Sequence, residues 1–382
     1  MEFFFEQGPI RPPSEAKSLL IRVTRNCPWN KCAFCHSYRG EKFSLRSVEE
    51  VKADIQTARR IADEIRALSW KLGEGGHISG KVADAVWQQG WHYNDSFRSI
   101  VAWLYYGGES IFLQDANSLI LKTNDLVDIL SYLREMFPSV QRITSYCRSN
   151  TAARKSAEEF RLLREAGLSR IHIGMESGYD PLLKFIRKGT AAAEHIEGGM
   201  KIVAAGISLS EYVIPGLGGT KWSREHAEET ARVINQINPD FVRLRSLNIT
   251  PDTDLYEMFQ RGEFTPLDDD AVLHEIHRFI ELLDGIETTL VSDHMLNLLE
   301  EVEGKLPEDK EKMLSLIDRY FALSLQDRMI FRLGRRKGIY RRLDDLEEPQ
   351  SYLRLKEIVD EYASKEPGQL ERDLERMSRL YI

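Results

Sequence analysis

From residue 19 to 247, six short apolar runs of β type alternate with amphipathic helical stretches, a rhythm that confines the chain to repeated βα units around a parallel sheet. The predicted strands are 19–24 (LLIRVT), 110–113 (SIFL), 140–146 (VQRITSY), 170–174 (RIHIG), 207–214 (ISLSEYVI) and 240–247 (DFVRLRSL). Helices are predicted over 48–66, 124–137, 156–166, 192–205 and 223–237. Gly167 and Gly206 each stand between a helix and the next strand, where a glycine closes the last helical turn by accepting the left-handed conformation. Pro239 is a comparable stop after the fifth helix.

Two stretches break the rhythm. Residues 67–108 carry GEGGHISG and Trp70, Trp87, Trp91 and Trp103 and read as an inserted helical subdomain. From about Pro266 to residue 382 the pattern is helical and highly charged, and no run reads as a strand. The expected organisation is therefore a βα domain over 1–265, insertion included, and a helical domain over 266–382. At about 150 residues per domain the length of 382 residues agrees with two. The 52 Lys and Arg against 60 Asp and Glu leave a net charge of −8, which offers no general attraction to nucleic acid. There is no unbroken apolar run of about 18 residues to cross a bilayer. The start, MEFFFEQGPIRPPSEAK, lacks the basic n-region of a secretory signal. A cytoplasmic location without a membrane partner is expected.

Three of the four cysteines fall in Cys27-Pro-Trp-Asn-Lys-Cys32-Ala-Phe-Cys35, directly after the first strand. A reduced cytosol argues against disulfides and for metal. Three thiolates on one loop can hold three irons of a cubane four-iron four-sulfur cluster and leave the fourth iron open to a small molecule. The alternatives are a structural zinc site, which needs a fourth ligand such as the adjacent His36, or plain thiols.

Here the chain resembles the radical S-adenosylmethionine enzymes. Their signature loop follows the first strand, has the form C-x3-C-x2-C and carries an aromatic before the last cysteine, a place that Phe34 fills. The C-x4-C-x2-C spacing has one extra residue between Cys27 and Cys32, a variation seen in some branches. The resemblance covers roughly 15–265 and is nearest the branch with the elongator-type and oxygen-independent coproporphyrinogen oxidase enzymes. It implies an α/β fold, a partial (β/α)6 TIM-like barrel carrying the helical insertion and the C-terminal helical domain. It also implies a [4Fe–4S] cluster on Cys27, Cys32 and Cys35, with S-adenosylmethionine as second cofactor. Reductive cleavage of that cofactor, with electrons from a donor such as flavodoxin or ferredoxin, gives a 5′-deoxyadenosyl radical that abstracts hydrogen from substrate. Such chemistry is anaerobic.

Barrel enzymes carry their chemistry on loops at the C-terminal ends of the strands. Gly107-Gly108-Glu109 matches the family's GGE motif but precedes the second strand and reads as a turn. Gln114 and Asp115, which follow that strand, are the candidates for the cofactor's ammonium, with an Asx turn as the alternative for Asp115. After the third strand, Cys147 is a candidate hydrogen donor or covalent catalyst, or a small core residue, and Arg148 a carboxylate ligand or a surface ion pair. Glu176 and Ser177, in Gly174-Met-Glu-Ser-Gly178, occupy the place where related enzymes approach the cofactor, with a salt-bridged Glu as the alternative. Lys188 sits at a helix end, where basic residues are commonplace, and is not assigned a role. Gly216, in Pro215-Gly-Leu-Gly-Gly219, resembles the family's adenine-facing loop. Arg245 is the carboxylate candidate of the sixth strand, or else a structural ion pair.

Too few residues precede Cys27 for a cobalamin domain, and a single spare cysteine allows no second cysteine-ligated cluster of ordinary kind. Within the C-terminal region, His294 is a candidate proton shuttle beside Ser292 and Asp293. Between Arg328 and Arg342 the cations at 328, 332, 335, 336, 337, 341 and 342 have no acid among them, so Arg335, Arg336 and Lys337 can grip phosphates or form a solvated face. The leading expectation is a radical enzyme for a small organic substrate. An RNA- or protein-modifying enzyme is the first alternative, with nucleic acid not favoured, and a zinc-stabilised binding protein is the second.

Overall fold

The computed structural model describes residues 3–365 and 368–379; residues 1, 2, 366, 367 and 380–382 of the expected domains lie outside them. Two compact units account for the chain: Met1–Asn30, Ser37–Gly174 and Glu197–Leu209 form one, and Lys31–His36, Met175–Ile196 and Ser210–Ile382 the other. The fold is mixed α/β with parallel strands, of the partial TIM-like type.

In the first unit, β1 (Leu19–Arg22), β2 (Ser110–Gln114), β3 (Arg142–Cys147) and residues 168–174 of β4 (Leu168–Glu176) run parallel in that order. The register sets Leu19 opposite Ile111, Ser110 opposite Arg142 and Cys147 opposite Ile173. Continuous burial along Leu19–Ile21 and Ile111–Gln114 is the mark of strands covered on both faces, as βα crossovers require. The covering helix α1 (Val48–Lys71) starts at a capping box between Ser47 and Glu50. It buries Val51, Ile55, Ala58, Ile61, Ala62, Ile65 and Leu68 at helical spacing. The stretch 67–108 contains the end of α1, α2 (Gly80–Gln88) and α3 (Asp95–Tyr105). Of its tryptophans, Trp103 is buried and donates to Ser110 O at 2.9 Å, while Trp70 and Trp87 are exposed. Gly107 and Gly108 both take positive φ, +101° and +67°, in the turn before β2. Helices α4 (Thr123–Met136) and α5 (Ala157–Ala166) complete the covering layer, α5 closing at Gly167 with φ +116°.

Part of α6 (Ala192–Ala204) lies in each unit. In the second unit, residues 210–213 of β5 (Ser208–Val213) pair in parallel with β6 (Phe241–Leu244). Contrary to the strandless reading of 266–382, β7 (Thr289–Val291) extends this sheet in parallel beside β6, and β8 (Gly304–Lys305) adds an antiparallel edge. A run as short as Thr-Leu-Val shows no period of its own; pairing with β6 makes it a strand. The longer helices of this unit are α7 (Gly219–Ile237), α8 (Asp269–Leu282), α9 (Lys310–Ala322), α10 (Leu325–Arg336), α11 (Pro349–Lys365) and α12 (Gln369–Arg379). No helix of the described residues is long and apolar enough to cross a membrane.

The basic stretch turns inward. On α10, Arg335 and Arg336 are buried. Arg335 donates to the carbonyls of Asn297 (2.9 Å), Leu298 (2.9 Å) and Tyr340 (3.0 Å) and to Glu300 (2.8 Å). Arg336 donates to Leu296 O (2.9 Å) and Asp269 (2.7 Å), and Arg328 and Arg332 both pair with Asp270. Spacing of three and four residues directs these guanidinium groups to one side of the helix, where carbonyls and acids from remote segments meet them. The expected phosphate grip through Arg335 and Arg336 is therefore corrected: they clamp the segment 296–300, and of the three named cations only Lys337 is exposed.

Candidate functional site

In the first unit, the exit of β1 is organised by Arg22. Its guanidinium pairs with Asp115 (2.6 Å) and Glu6 (3.0 Å) and donates to Asn26 Oδ1 (3.0 Å). Asp115 Oδ2 also accepts the Asn26 N–H at 3.0 Å, so this carboxylate pins the residue before Cys27. Asn26 and Asn30 adopt φ of +65° and +46°, a region asparagine tolerates better than most side chains. The side chain of Asn30 donates to Tyr38 O and to Glu41 O, and its N–H points at Cys27 Sγ from 3.4 Å. Arg148 stacks over the Trp29 ring at 5.1 Å, and its N–H donates to Asn117 Oδ1 at 3.0 Å. Two expected site residues, Asp115 and Arg148, thus touch the cysteine loop itself.

Gln114 does not fit its expected role. It is fully buried, accepts from Gly8 N–H (2.8 Å) and donates to the carbonyls of Gly8 (3.0 Å) and Ile10 (2.6 Å). With both amide hydrogens and the oxygen engaged, it ties down the N-terminal segment and is corrected to a structural clamp. Cys147, the last residue of β3, is buried with its thiol 3.3 Å from Arg148 O.

In the second unit, Cys32 and Cys35 flank a turn closed by Cys35 N–H to Cys32 O at 3.2 Å. Between them Ala33 is buried and anchored on both sides, donating to Ile186 O and accepting from Leu255 N–H, each at 2.8 Å. Phe34 packs against the core of Leu182, Leu183, Ile186, Ile214 and Leu217.

Glu176, the last residue of β4, takes φ +65°, a costly conformation that persists only where the surroundings over-determine it. Its carboxylate pairs with Lys188 Nζ at 2.8 Å, and both side chains are only 12% exposed. On β5, Glu211 is fully buried and neither oxygen has a hydrogen-bond partner. Burial, reinforced by the neighbouring Glu176 charge, pushes this carboxyl well above the usual range and so favours its protonated form. Sequence reasoning passed over both Lys188 and Glu211; the available signal was a lone acid amid the apolar run ISLSEYVI. Gly216, with φ +84°, donates its N–H to the buried Glu275 at 2.6 Å. Ser177 is also buried, with its hydroxyl 2.8 Å from His226 Nδ1.

The sixth-strand candidates divide. Arg243 is paired with Asp293 at 2.7 Å, whereas Arg245 lies over the Tyr212 ring at 5.0 Å. Arg245 also faces His294, whose imidazole is pushed down to about 4, first by burial and then by that cation. A group titrating so low is neutral near pH 7. Beyond the ends of β5, β6 and β7 lies a cavity of about 340 Å³. Pro215, Gly216, Ser246 and Asn248 contribute from the strand exits, and Val272, Leu273, Ile276, Leu296 and Leu299 supply apolar walls. Asn248 Nδ2 is buried there without a hydrogen-bond partner.

None of the four cysteines is in a disulfide, and the three of the loop are half-buried. Among the described residues no three His, Cys, Asp or Glu side chains are grouped to hold a single metal ion. An iron–sulfur cluster makes a different demand, one soft thiolate per iron around a larger body, and a thiolate loop held by backbone anchors suits it.

A parallel α/β fold with a three-thiol loop after its first strand, and acids, a lysine and glycines at the later strand exits, defines a cofactor-dependent enzyme of partial-barrel type. The Radical SAM superfamily matches residues 21–234, and the chain belongs to that superfamily. It is an enzyme of the radical S-adenosylmethionine type, and its cofactors are a [4Fe–4S] cluster and S-adenosylmethionine. Such enzymes require an electron donor and a substrate. The chain is 27% identical over 127 residues to a tRNA uridine(34) acetyltransferase of Methanocaldococcus infernus, covering 32% of this chain and 23% of that protein. It is 20% identical over 281 residues to the tRNA uridine(34) acetyltransferase of Methanocaldococcus jannaschii, covering 70% of this chain and 49% of the relative. The chain thus spans about half or less of these curated relatives. Among solved structures, an N-terminally deleted Elp3 of Methanocaldococcus infernus superposes with a TM-score of 0.41 at 18% identity, over 52% of each chain.

Proposed function

We propose that this radical S-adenosylmethionine enzyme abstracts hydrogen from a small organic substrate, with Cys27, Cys32 and Cys35 as the cluster ligands. Held by Cys27, Cys32 and Cys35, the cluster would supply one-electron reduction to the bound S-adenosylmethionine. The protein's part is to bind, orient and exclude water. Asp115 and Arg148 hold the entry to the cysteine loop, and Ala33 anchors its far end. Lys188 is the cation for the cofactor's carboxylate, Glu176 the anion for its ammonium or the acceptor for a ribose hydroxyl. Glu211, whose burial favours the protonated form, is the donor to a ligand oxygen. Gly216 admits close backbone approach.

The observation that carries the small-substrate reading is the cavity of about 340 Å³ beyond β5–β7, a volume in the range of small-molecule sites. The test is anaerobic: reconstitution with iron and sulfide, reduction, addition of S-adenosylmethionine, and quantification of 5′-deoxyadenosine in the presence of metabolite pools. Production should vanish in Cys32→Ala, and stimulation by the substrate should vanish in Val272→Trp, which fills the cavity. Stimulation unaffected by Val272→Trp would refute the location.

A second reading, RNA modification, is favoured by the names of the two relatives, both tRNA enzymes. It needs a grip other than Arg335 and Arg336, which are occupied internally. tRNA binding with a steep salt dependence supports it.

A further inference from the structure

Ser177, His226 and Glu275 form a serine, histidine and glutamate array, yet it is closed to substrate: their exposures are 0%, 1% and 5%. Its connections define another task. His226 Nε2 lies 3.0 Å from Ile214 O; a carbonyl only accepts, so Nε2 carries the proton. His226 Nδ1 lies 2.8 Å from the Ser177 hydroxyl, and Ser177 Oγ accepts the Tyr179 N–H at 3.1 Å. One turn further along α7, Thr230 Oγ1 accepts the Gly178 N–H at 2.9 Å. Gly178 packs so closely on α7 that a Cβ there would stand 2.4 Å from Glu229 O. From α8, Glu275 lies 3.7 Å from His226 Nε2 and takes the Gly216 N–H at 2.6 Å. Ile214 N–H in turn donates to Glu176 O at 3.1 Å. Two buried side chains from α7 and α8 therefore brace both the loop after β4, which follows Glu176 with its unfavourable φ, and the loop after β5, which carries Gly216.

We propose that His226 and Glu275 are positioning residues that hold the Glu176 loop and the Pro215–Gly216 loop in the arrangement that binds S-adenosylmethionine. The inference rests on the reading of Glu176 as a cofactor contact. Glu176 keeps its orientation because the next two residues, Ser177 and Gly178, are tied to α7, and removal of the tie releases the strained backbone. A merely structural role predicts lost stability alone; a positioning role predicts changes confined to the two loops.

The experiment uses the full chain, reconstituted anaerobically, in two readouts: amide hydrogen exchange without cofactor, and the Kd for S-adenosylmethionine by calorimetry. His226→Ala should speed exchange in residues 176–179 and 214–217 and weaken cofactor binding at least tenfold. Glu275→Leu should do the same. Glu275→Gln, whose amide oxygen still accepts the Gly216 N–H, should stay within about threefold of wild type. Ile317→Ala, a buried truncation in the same unit, should lower stability with neither loop nor Kd affected. Where His226→Ala does not fold, Thr230→Val tests the same brace by removing the acceptor for Gly178 and should speed exchange at 176–179. Wild-type exchange in both loops, or equal loosening by Ile317→Ala, overturns the proposal. Faster exchange with an unchanged Kd overturns the cofactor role and leaves the brace.

Discussion

Arg335→Ala removes a buried guanidinium that holds three backbone carbonyls, those of Asn297, Leu298 and Tyr340, and one oxygen of Glu300. A buried carbonyl left without its donor costs about 1 kcal/mol net. The Glu300 carboxylate keeps Arg341 at 3.1 Å, so its charge is not orphaned and its loss adds roughly 0.5–1 kcal/mol. The expected destabilisation is about 3–4 kcal/mol, in line with the loss of one partner from a buried charged network. At about 2–4 °C per kcal/mol for a unit of this size, the melting temperature should fall by about 6–16 °C. The assay is paired thermal and urea unfolding, with Lys337→Ala, an exposed neighbour, as control and expected within about 0.5 kcal/mol of wild type. A loss below about 1 kcal/mol for Arg335→Ala would refute the clamp. If Arg335 instead served a surface nucleic-acid patch, the variant would keep its stability and lower the salt slope of RNA binding by about one.

Two further expectations concern ionisable groups. His294 titrates at about 4 in the folded chain, against 6.5 ordinarily; below pH 6.5 the unfolded chain takes up a proton that the folded chain refuses. Stability should therefore decline from pH 6.5 to 4 and level off below. His294→Gln should flatten that slope in urea midpoints measured across the range, and an unchanged slope would contradict the assignment. Lys188→Met leaves Glu176 without its 2.8 Å partner and should weaken S-adenosylmethionine binding about tenfold or more, with Lys188→Arg partly restoring it; calorimetry showing wild-type affinity in Lys188→Met would remove the lysine from the site.

Local chemistry was legible in the sequence wherever neighbouring residues decide the outcome. The six strands of the βα repeat were read from runs of apolar residues, the end of α5 at Gly167 from its glycine, and the cysteine loop from its spacing after β1. Those features depend on periods of a few residues and on backbone freedom at single positions, which the chain order contains directly. Boundaries shifted by a residue or a few, as with α1, read to 66 and ending at Lys71, because a last turn is decided by what packs on it.

Tertiary structure alone decided which polar side chains are spent and which are available. Gln114 reads as a ligand until Gly8 and Ile10 are found on it, more than a hundred residues away in sequence. Seven cations without an acid between them read as a surface until Asp269, Asp270 and Glu300 arrive from other elements. Ser177 and His226 are 49 residues apart, and no spacing rule joins them. Burial is what gives these pairings their energy, since the cost of an unpaired polar group appears only once water is removed. The sequence by itself determined the βα repeat and the thiol loop; the fold decided, by desolvation and long-range pairing, that the Glu211 carboxyl is pushed toward its acid form, that Arg335 is a clamp and that His226 braces two loops.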